Sequence, residues 1–166
     1  MTETFILRAR PLTREAFAPY GDVIEMAGQA STSMNQGWGE RFADLADIDV
    51  GADGTTALNL VRAQPQSTPV PLRLVERHPL GSQVFMPLGP QPFLVVVAPA
   101  GEVPQRHMLE AFISNGSQGV NYHRNIWHHP MIALQAVTDF VEIVRKGPGD
   151  NCDEADIPGG RVEVHL

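Results

Sequence analysis

Residues 119–130, GVNYHRNIWHHP, contain three of the six histidines in this chain of 166 residues. Imidazole titrates close to neutrality and is the commonest metal ligand in proteins, so this segment could supply acid–base or metal chemistry. Side chains in a strand alternate between two faces. The alternation places Asn121 and His123 on one face, which we predict to line a site, and Tyr122 and Arg124 on the opposite face.

The last two histidines of this segment, His128 and His129, are adjacent in the sequence. Neighbouring residues in a strand point to opposite faces, so at most one of the pair can serve the site while the chain stays regular. The other is then structural or donates a hydrogen bond to a ligand residue. We retain His128 as the site candidate.

A second polar pair ends the apolar segment LRLVERH (72–78). Alternation puts Glu76 and His78 on one face with two leucines, which is typical of a strand that runs from a barrel core to its polar mouth. Gln83 follows after a turn. A solvated sheet edge is the alternative for a Glu-x-His pair taken alone. Because two dense polar segments occur in one small chain, we favour a shared site.

Strand-forming residues dominate the rest of the chain. Segments rich in β-branched or aromatic residues, bounded by turn residues, predict strands at 56–63, 72–78, 82–88, 92–99, 110–114, 119–124 and 133–145. Short helices are predicted after a Thr13 cap and within 37–48. Many short strands with close turns indicate an all-β sandwich or small barrel. Without a linker or repeat, we expect one domain over residues 1–166.

The amino-acid composition argues against several classes of binding partner and of catalytic mechanism. A net charge of −7 disfavours nucleic acids and anionic membrane surfaces. A single lysine, Lys146, argues against a Schiff-base mechanism, whereas the arginines suit a carboxylate ligand. The lone Cys152 excludes internal disulfides. The chain starts without a signal-peptide pattern and its apolar runs are short, so we expect a cytoplasmic protein.

The Glu-x-His-x4-Gln hairpin, followed later by an inward histidine, resembles the two-motif pattern of the cupin superfamily. The first cupin motif carries His-x-His with a Glu shortly after. Here Glu76 stands at the first histidine position and Gln83 at the glutamate position. The resemblance implies a cupin-like β-barrel (double-stranded β-helix or jelly roll). It also implies a divalent metal site formed by Glu76, His78, Gln83 and His123.

Longer stretches are similar to the ureidoglycolate lyase family, which older usage calls ureidoglycolate hydrolase. They are ERHPLGSQVFMPL (76–88), NGSQGVNYHRNIWHHP (115–130), TDF (138–140), GPGDNCDE (147–154), LTREAFAPYGDVIE (12–25) and LNLVRAQP (58–65). The resemblance implies a homodimeric enzyme of allantoin breakdown, in purine degradation, that splits ureidoglycolate into glyoxylate and urea. Nickel or another divalent metal is associated with the family.

The implied reaction is an elimination at the carbon that bears the hydroxyl. The hydroxyl proton is removed, the carbon–nitrogen bond breaks, and the departing urea nitrogen is protonated. We expect His78, Gln83 and His123 to surround the reacting hydroxyl. Glu76 would act as the base or as a metal ligand.

The remaining parts of the substrate need their own partners. Asn121 or His128 would hold or protonate the urea group. For the substrate carboxylate we favour Arg62, which shares a strand face with two leucines. Arg124 is an alternative, and Arg41 could reach in from a loop.

Other functions fit the same residues. One is a different metal-dependent cupin enzyme, such as an oxygenase or isomerase. Another is a non-catalytic barrel that binds a small acid as a sensor. A third is a ureidoglycolate hydrolase that releases ammonia instead of urea. Trp38 and Phe42 lie in a region that could present apolar surface to a partner subunit.

Overall fold

The computed structural model describes residues 3–166, most of which form short strands. The strands are β1 (Phe5–Pro11), β2 (Gly21–Ile24), β3 (Thr32–Met34), β4 (Gly39–Arg41), β5 (Thr55–Ala63), β6 (Val70–Leu72), β7 (Leu74–Arg77), β8 (Gln83–Pro87), β9 (Phe93–Ala98), β10 (Glu110–Ile113), β11 (Gly119–Tyr122), β12 (Trp127–His128), β13 (Ile132–Ala133), β14 (Thr138–Lys146), β15 (Asp153–Asp156) and β16 (Val162–His165). Helical turns are α1 (Arg14–Phe17) and two 3₁₀ turns, Asn35–Gly37 and Arg106–Met108. Among the described residues, no helix has the length and apolarity to cross a membrane.

The strands form two large sheets and one small hairpin. The first sheet runs β15-β7-β12-β9-β10-β1-β16-β6, with β13 also paired to β9, and the second runs β2-β11-β8-β14-β5. Strands β6 and β7 lie towards opposite ends of the first sheet, yet only Arg73 separates them in the chain. One residue cannot span an open sheet of this width. The nine-stranded sheet therefore curls until its two ends meet.

The apolar strand β9, FLVVVA, is buried along its whole length. Phe93, Val95 and Val97 belong to the core that lies between the two sheets. Leu94 and Val96 belong to a second core, enclosed by the curled sheet itself. Because both faces of β9 are covered, its sequence is continuously apolar rather than alternating.

The predicted fold class is confirmed: the chain is an all-β, cupin-like barrel with very short helices. The predicted cap of the first helix is also present, since the Ala16 amide donates to Thr13 Oγ1 at 3.2 Å. The predicted helical turn within 37–48 is wrong. Left-handed φ values at Gln36 and Gly37 turn the chain into the β3–β4 hairpin instead.

Two strand boundaries differ from those expected. The predicted strand 72–78 is interrupted at Arg73, whose carbonyl accepts from the Ile157 amide at 2.9 Å rather than from a sheet partner. As a result, Leu72 and Val75 both face the core of the curled sheet. The predicted strand 133–145 is divided into β13 and β14, separated by a turn.

A candidate active site between the two sheets

Glu76, His78 and His128 form a compact group on the face of the curled sheet that looks towards the second sheet. Glu76 of β7 and His128 of β12 are direct partners in the strand register, so their side chains share this face. His128 Nε2 lies 3.3 Å from Glu76 Oε1, and His78 Nε2 lies 4.0 Å from the same oxygen. Of the four residues predicted from the sequence as catalytic, Glu76, His78 and His128 are thus brought together, whereas His123 is not part of the group.

Both imidazoles are oriented by backbone carbonyls. His78 Nδ1 lies 2.6 Å from the Asn151 carbonyl oxygen, and His128 Nδ1 lies 3.1 Å from the Ile126 carbonyl oxygen. A carbonyl oxygen only accepts, so each Nδ1 carries the proton and donates it. Each Nε2 is thereby turned towards the site, which is the arrangement found in metal-binding histidines.

Gln83 completes the group from the opposite sheet. Its side-chain oxygen lies 2.9 Å from His78 Nε2, and its side-chain nitrogen donates to Glu142 Oε1 at 2.8 Å. Gln83 is buried at the start of β8. Both ring nitrogens of His78 face oxygens that can only accept a hydrogen bond. The short distance between His78 Nε2 and the Gln83 oxygen is favourable when Nε2 carries a proton, or when a cation binds between the two atoms.

Burial and neighbouring charges shift the pKa values of this group in opposite directions. Burial raises the pKa of Glu76, but the imidazoles of His128 and His78 outweigh it and hold that pKa below its ordinary value. Burial lowers the pKa of His128, whose side chain is only 1% exposed. The pKa of the Glu76 carboxyl and that of the His128 imidazole are therefore both held below their ordinary values.

The same atoms fit a divalent cation. Among residues 3–166, buried His128 Nε2 has no assigned hydrogen-bond partner, although Glu76 Oε1 lies 3.3 Å away. Ligand atoms of Glu76, His78 and His128 all lie within 4.8 Å of one another. Two imidazoles and a carboxylate are ordinary ligands for first-row transition metals. Gln83 adds an oxygen to this donor set, whereas His123, which we had predicted as the fourth ligand, does not belong to it.

Tyr122 faces this group, which corrects the orientation expected for β11. Its ring stacks on His128 with centroids 4.1 Å apart and planes 5° apart. The Tyr122 hydroxyl is buried and has no hydrogen-bond partner among the described residues, and burial together with the charge of Glu76 raises its pKa. The alternation along β11 is as predicted, but its apolar members, Val120 and Tyr122, point into the core.

Asn121 and His123 consequently lie on the other face of β11 and bind Asp22. Asp22 Oδ2 accepts from Asn121 Nδ2 at 2.9 Å, from the Asp47 amide at 3.0 Å, and lies 3.0 Å from His123 Nε2. Burial raises the pKa of Asp22, but these hydrogen bonds outweigh it and hold that pKa below its ordinary value. They anchor the segment around Asp47 to the outside of the second sheet.

Replacing Asp22 by asparagine should destabilise the protein by about 1 kcal/mol at pH 6, because the charged acceptor is lost. A carboxyl with a lowered pKa stabilises the fold above its unfolded pKa and loses that effect as it is protonated. The difference from wild type should therefore shrink as the pH falls below about 4. Urea unfolding of both proteins between pH 3 and 7 measures it. A difference that stays constant over this range would contradict the assignment.

The three candidate arginines lie elsewhere. Arg62 forms a bidentate ion pair with Asp139 at 2.7 and 2.9 Å on the exposed outer face of the second sheet. Arg124 pairs with Asp49 at 2.7 and 2.8 Å. Arg41 ends β4 and is exposed. Within residues 3–166, no hydrogen bond or ion pair joins these arginines to the Glu76 group, so their expected carboxylate-binding role has no support from the geometry.

The curled all-β barrel and its histidine–carboxylate group define a small cupin-type protein with a candidate catalytic or metal centre. Residues 4–164 match the family model described as ureidoglycolate lyase. The chain belongs to the ureidoglycolate lyase family.

Named relatives and solved structures are similar to this chain to very different extents. The chain is 53% identical to the ureidoglycolate lyase of Burkholderia cepacia over 93% of its own length and 88% of that protein. It is 48% identical to that of Pseudomonas aeruginosa strain UCBPP-PA14, over 89% and 88%. A dTDP sugar isomerase from Desulfovibrio desulfuricans G20 shares 13% identity over 85% and 87% of the two chains, with a TM-score of 0.46. A dTDP-6-deoxy-D-glucose-3,5-epimerase from Legionella pneumophila shares 16% over 86% and 81%, with a TM-score of 0.47.

Proposed function

We propose that this protein is a lyase that cleaves ureidoglycolate into glyoxylate and urea, a step of allantoin and purine degradation. One cupin-like domain over residues 1–166 would carry the reaction. The single observation that supports this most is the convergence of Glu76, His78 and His128 between the sheets of a chain that belongs to the ureidoglycolate lyase family.

The reaction needs a base for the hydroxyl proton. Glu76 is the proposed base, because it is the carboxylate of the group and its lowered pKa keeps it ionised, with oxygens that can accept a proton. As the proton leaves, the oxygen forms the aldehyde carbonyl of glyoxylate and the carbon–nitrogen bond breaks. The electron pair of that bond moves to the urea nitrogen, so no covalent enzyme intermediate is required.

The departing urea nitrogen needs a proton, and His78 is the proposed donor. Its Nδ1 is fixed on the Asn151 carbonyl, so Nε2 is the atom that exchanges a proton within the site. His128 Nε2 lies 3.3 Å from the Glu76 carboxylate, and the ring of His128 stacks on Tyr122. A positioned base and acid each contribute on the order of 10²–10⁴-fold to the rate.

A divalent cation, nickel by family resemblance, would be held by Glu76, His78, His128 and Gln83. When bound there, such a cation lowers the pKa of a coordinated hydroxyl and neutralises nearby negative charge. The charge of the site favours a bound cation, since the Glu76 carboxylate would otherwise face the substrate carboxylate. Removing the metal with a chelator distinguishes metal ligation from acid–base catalysis as the role of the histidines. Lost turnover would mark them as ligands, and retained turnover would mark them as acid and base.

The direct test is to supply ureidoglycolate and to measure glyoxylate, urea and ammonia together. We expect glyoxylate and urea in equal amounts. Ammonia in place of urea would instead indicate the hydrolase. Binding of ureidoglycolate without any turnover would indicate the small-acid sensor.

We also propose a cytoplasmic homodimer, with the free edge of β5 as the contact between subunits. Leu58 and Leu60 on this edge strand are 66% and 70% exposed, and Leu88 nearby is 59% exposed. An exposed apolar edge strand invites pairing with another chain. Two-fold antiparallel pairing about Asn59 would set Leu58 opposite Leu60 of the partner subunit. The free thiol of Cys152 agrees with a reducing compartment.

Replacing both Leu58 and Leu60 by glutamate should convert the dimer into a monomer, because like charges would face each other across the pairing. Light scattering after size-exclusion chromatography measures the mass. Met26→Glu is the matched control, since Met26 is equally exposed, at 64%, but lies outside β5. A wild-type monomer, or a double variant that remains dimeric, would rule out this interface.

A further inference from the structure

We propose that Glu142 is a positioning residue that fixes the Gln83 amide with its oxygen, and not its nitrogen, towards the Glu76–His78–His128 group. The inference deepens the proposed function and rests on the same site. Within the described part of the chain, no hydrogen bond or ion pair joins Glu142 to the three residues of that group. It would act on them only through Gln83.

The starting point is that a glutamine amide has two nearly isosteric orientations. Turning the group over exchanges an acceptor for a donor at the same position. The partner at the other end decides between them. Glu142 Oε1 only accepts when ionised, and it lies 2.8 Å from the Gln83 nitrogen. The Gln83 oxygen is therefore the atom that faces His78 Nε2, at 2.9 Å.

Glu142 is in turn held by a second hydrogen bond. Its Oε2 accepts from Asn59 Nδ2 at 2.7 Å, across the β14–β5 pair in which the two residues are direct register partners. Glu142 pairs with Phe85 on the other side, in β8, two residues after Gln83. The chain Asn59–Glu142–Gln83 therefore runs across three neighbouring strands on one face of the second sheet.

The orientation matters because of what the site would bind. With the oxygen inward, Gln83 joins a set of acceptor atoms: Glu76 Oε1, His78 Nε2 and His128 Nε2. A cation is attracted by all of them. With the nitrogen inward, Gln83 would present N–H donors to that cation, and its oxygen would face the carboxylate of Glu142. Both consequences are unfavourable in a buried place.

Two conservative variants separate orientation from charge. Glu142→Asp keeps the charge but is shorter by one methylene, so it cannot hold the Gln83 nitrogen at the same distance. Glu142→Gln keeps the length and loses the charge. Its oxygen can still accept from Gln83, because the amide of exposed Asn59 can turn to match the new nitrogen.

The measurement is the affinity of the purified, metal-free protein for Ni²⁺ by calorimetry, followed by kcat/KM with ureidoglycolate. Residues that orient metal ligands typically change affinity by about 10–100-fold when replaced. We expect Glu142→Asp to weaken Ni²⁺ binding by at least about tenfold, and Glu142→Gln to stay within about threefold of wild type. Thermal unfolding of both variants shows that the fold is retained.

Three results would overturn the proposal. The first is the opposite order, which would mean that Glu142 acts through its charge. The second is equal affinity in wild type and both variants. The third is a wild-type protein that binds no Ni²⁺. Turnover of ureidoglycolate by wild type is scored separately, so failure of the proposed reaction remains distinguishable from failure of the positioning role.

Discussion

Replacing His128 by asparagine lowers kcat/KM for ureidoglycolate by about 10²–10⁴-fold, the range for loss of one acid–base or orienting group. The reason is geometric. His128 lies opposite Glu76 in the strand register and directs Nε2 at the Glu76 carboxylate from 3.3 Å. Without the imidazole, the Glu76 carboxylate loses the neighbour that helps to hold its pKa down, and a proposed cation loses one ligand.

The adjacent histidine is the matched control for this experiment. His129 Nδ1 is engaged with the Pro130 carbonyl at 2.7 Å, and the residue lies after the end of β12. His129→Asn should change kcat/KM by less than about tenfold. Because His128 is fully buried against Tyr122, urea unfolding must accompany the kinetics. Equal losses at both positions would contradict the assignment.

Replacing Glu76 by glutamine should have a comparable effect, again about 10²–10⁴-fold in kcat/KM. The amide cannot accept the hydroxyl proton, and as a neutral group it is a poorer cation ligand. Ni²⁺ affinity should therefore fall together with turnover.

Glu154 provides a control on the neighbouring strand. It is the direct register partner of Glu76 in β15, but its side chain is exposed. Glu154→Gln should leave both kcat/KM and Ni²⁺ affinity near wild type. A variant Glu76→Gln that keeps its turnover would exclude the carboxylate as the base.

Much of the fold could be predicted from local patterns because each strand is marked by its own residues. The runs 92–99 and 56–63 carry β-branched residues between turn formers, and β9 and β5 occur there. The break at Arg73 could not be predicted in this way. It depends on where the two ends of the curled sheet meet, which is a property of the whole topology.

The site was only partly predictable for a related reason. Alternation correctly grouped Asn121 with His123, but it does not say which face is interior. The apolar character of Val120 and Tyr122 was the available signal, and it indicates the face that holds His128. Glu142 could not be recognised, since its link to Gln83 arises from the register of two strands far apart in sequence.

Closure of the curled sheet through Arg73 makes the site depend on strands that carry none of its residues. β16 pairs with β1 and β6, and β6 passes through Arg73 directly into β7, the strand of Glu76. If β16 separates from β6, we therefore expect β7 to lose its support as well. We therefore expect opening of the barrel at β16 and loss of the Glu76–His128 geometry to occur as one cooperative event.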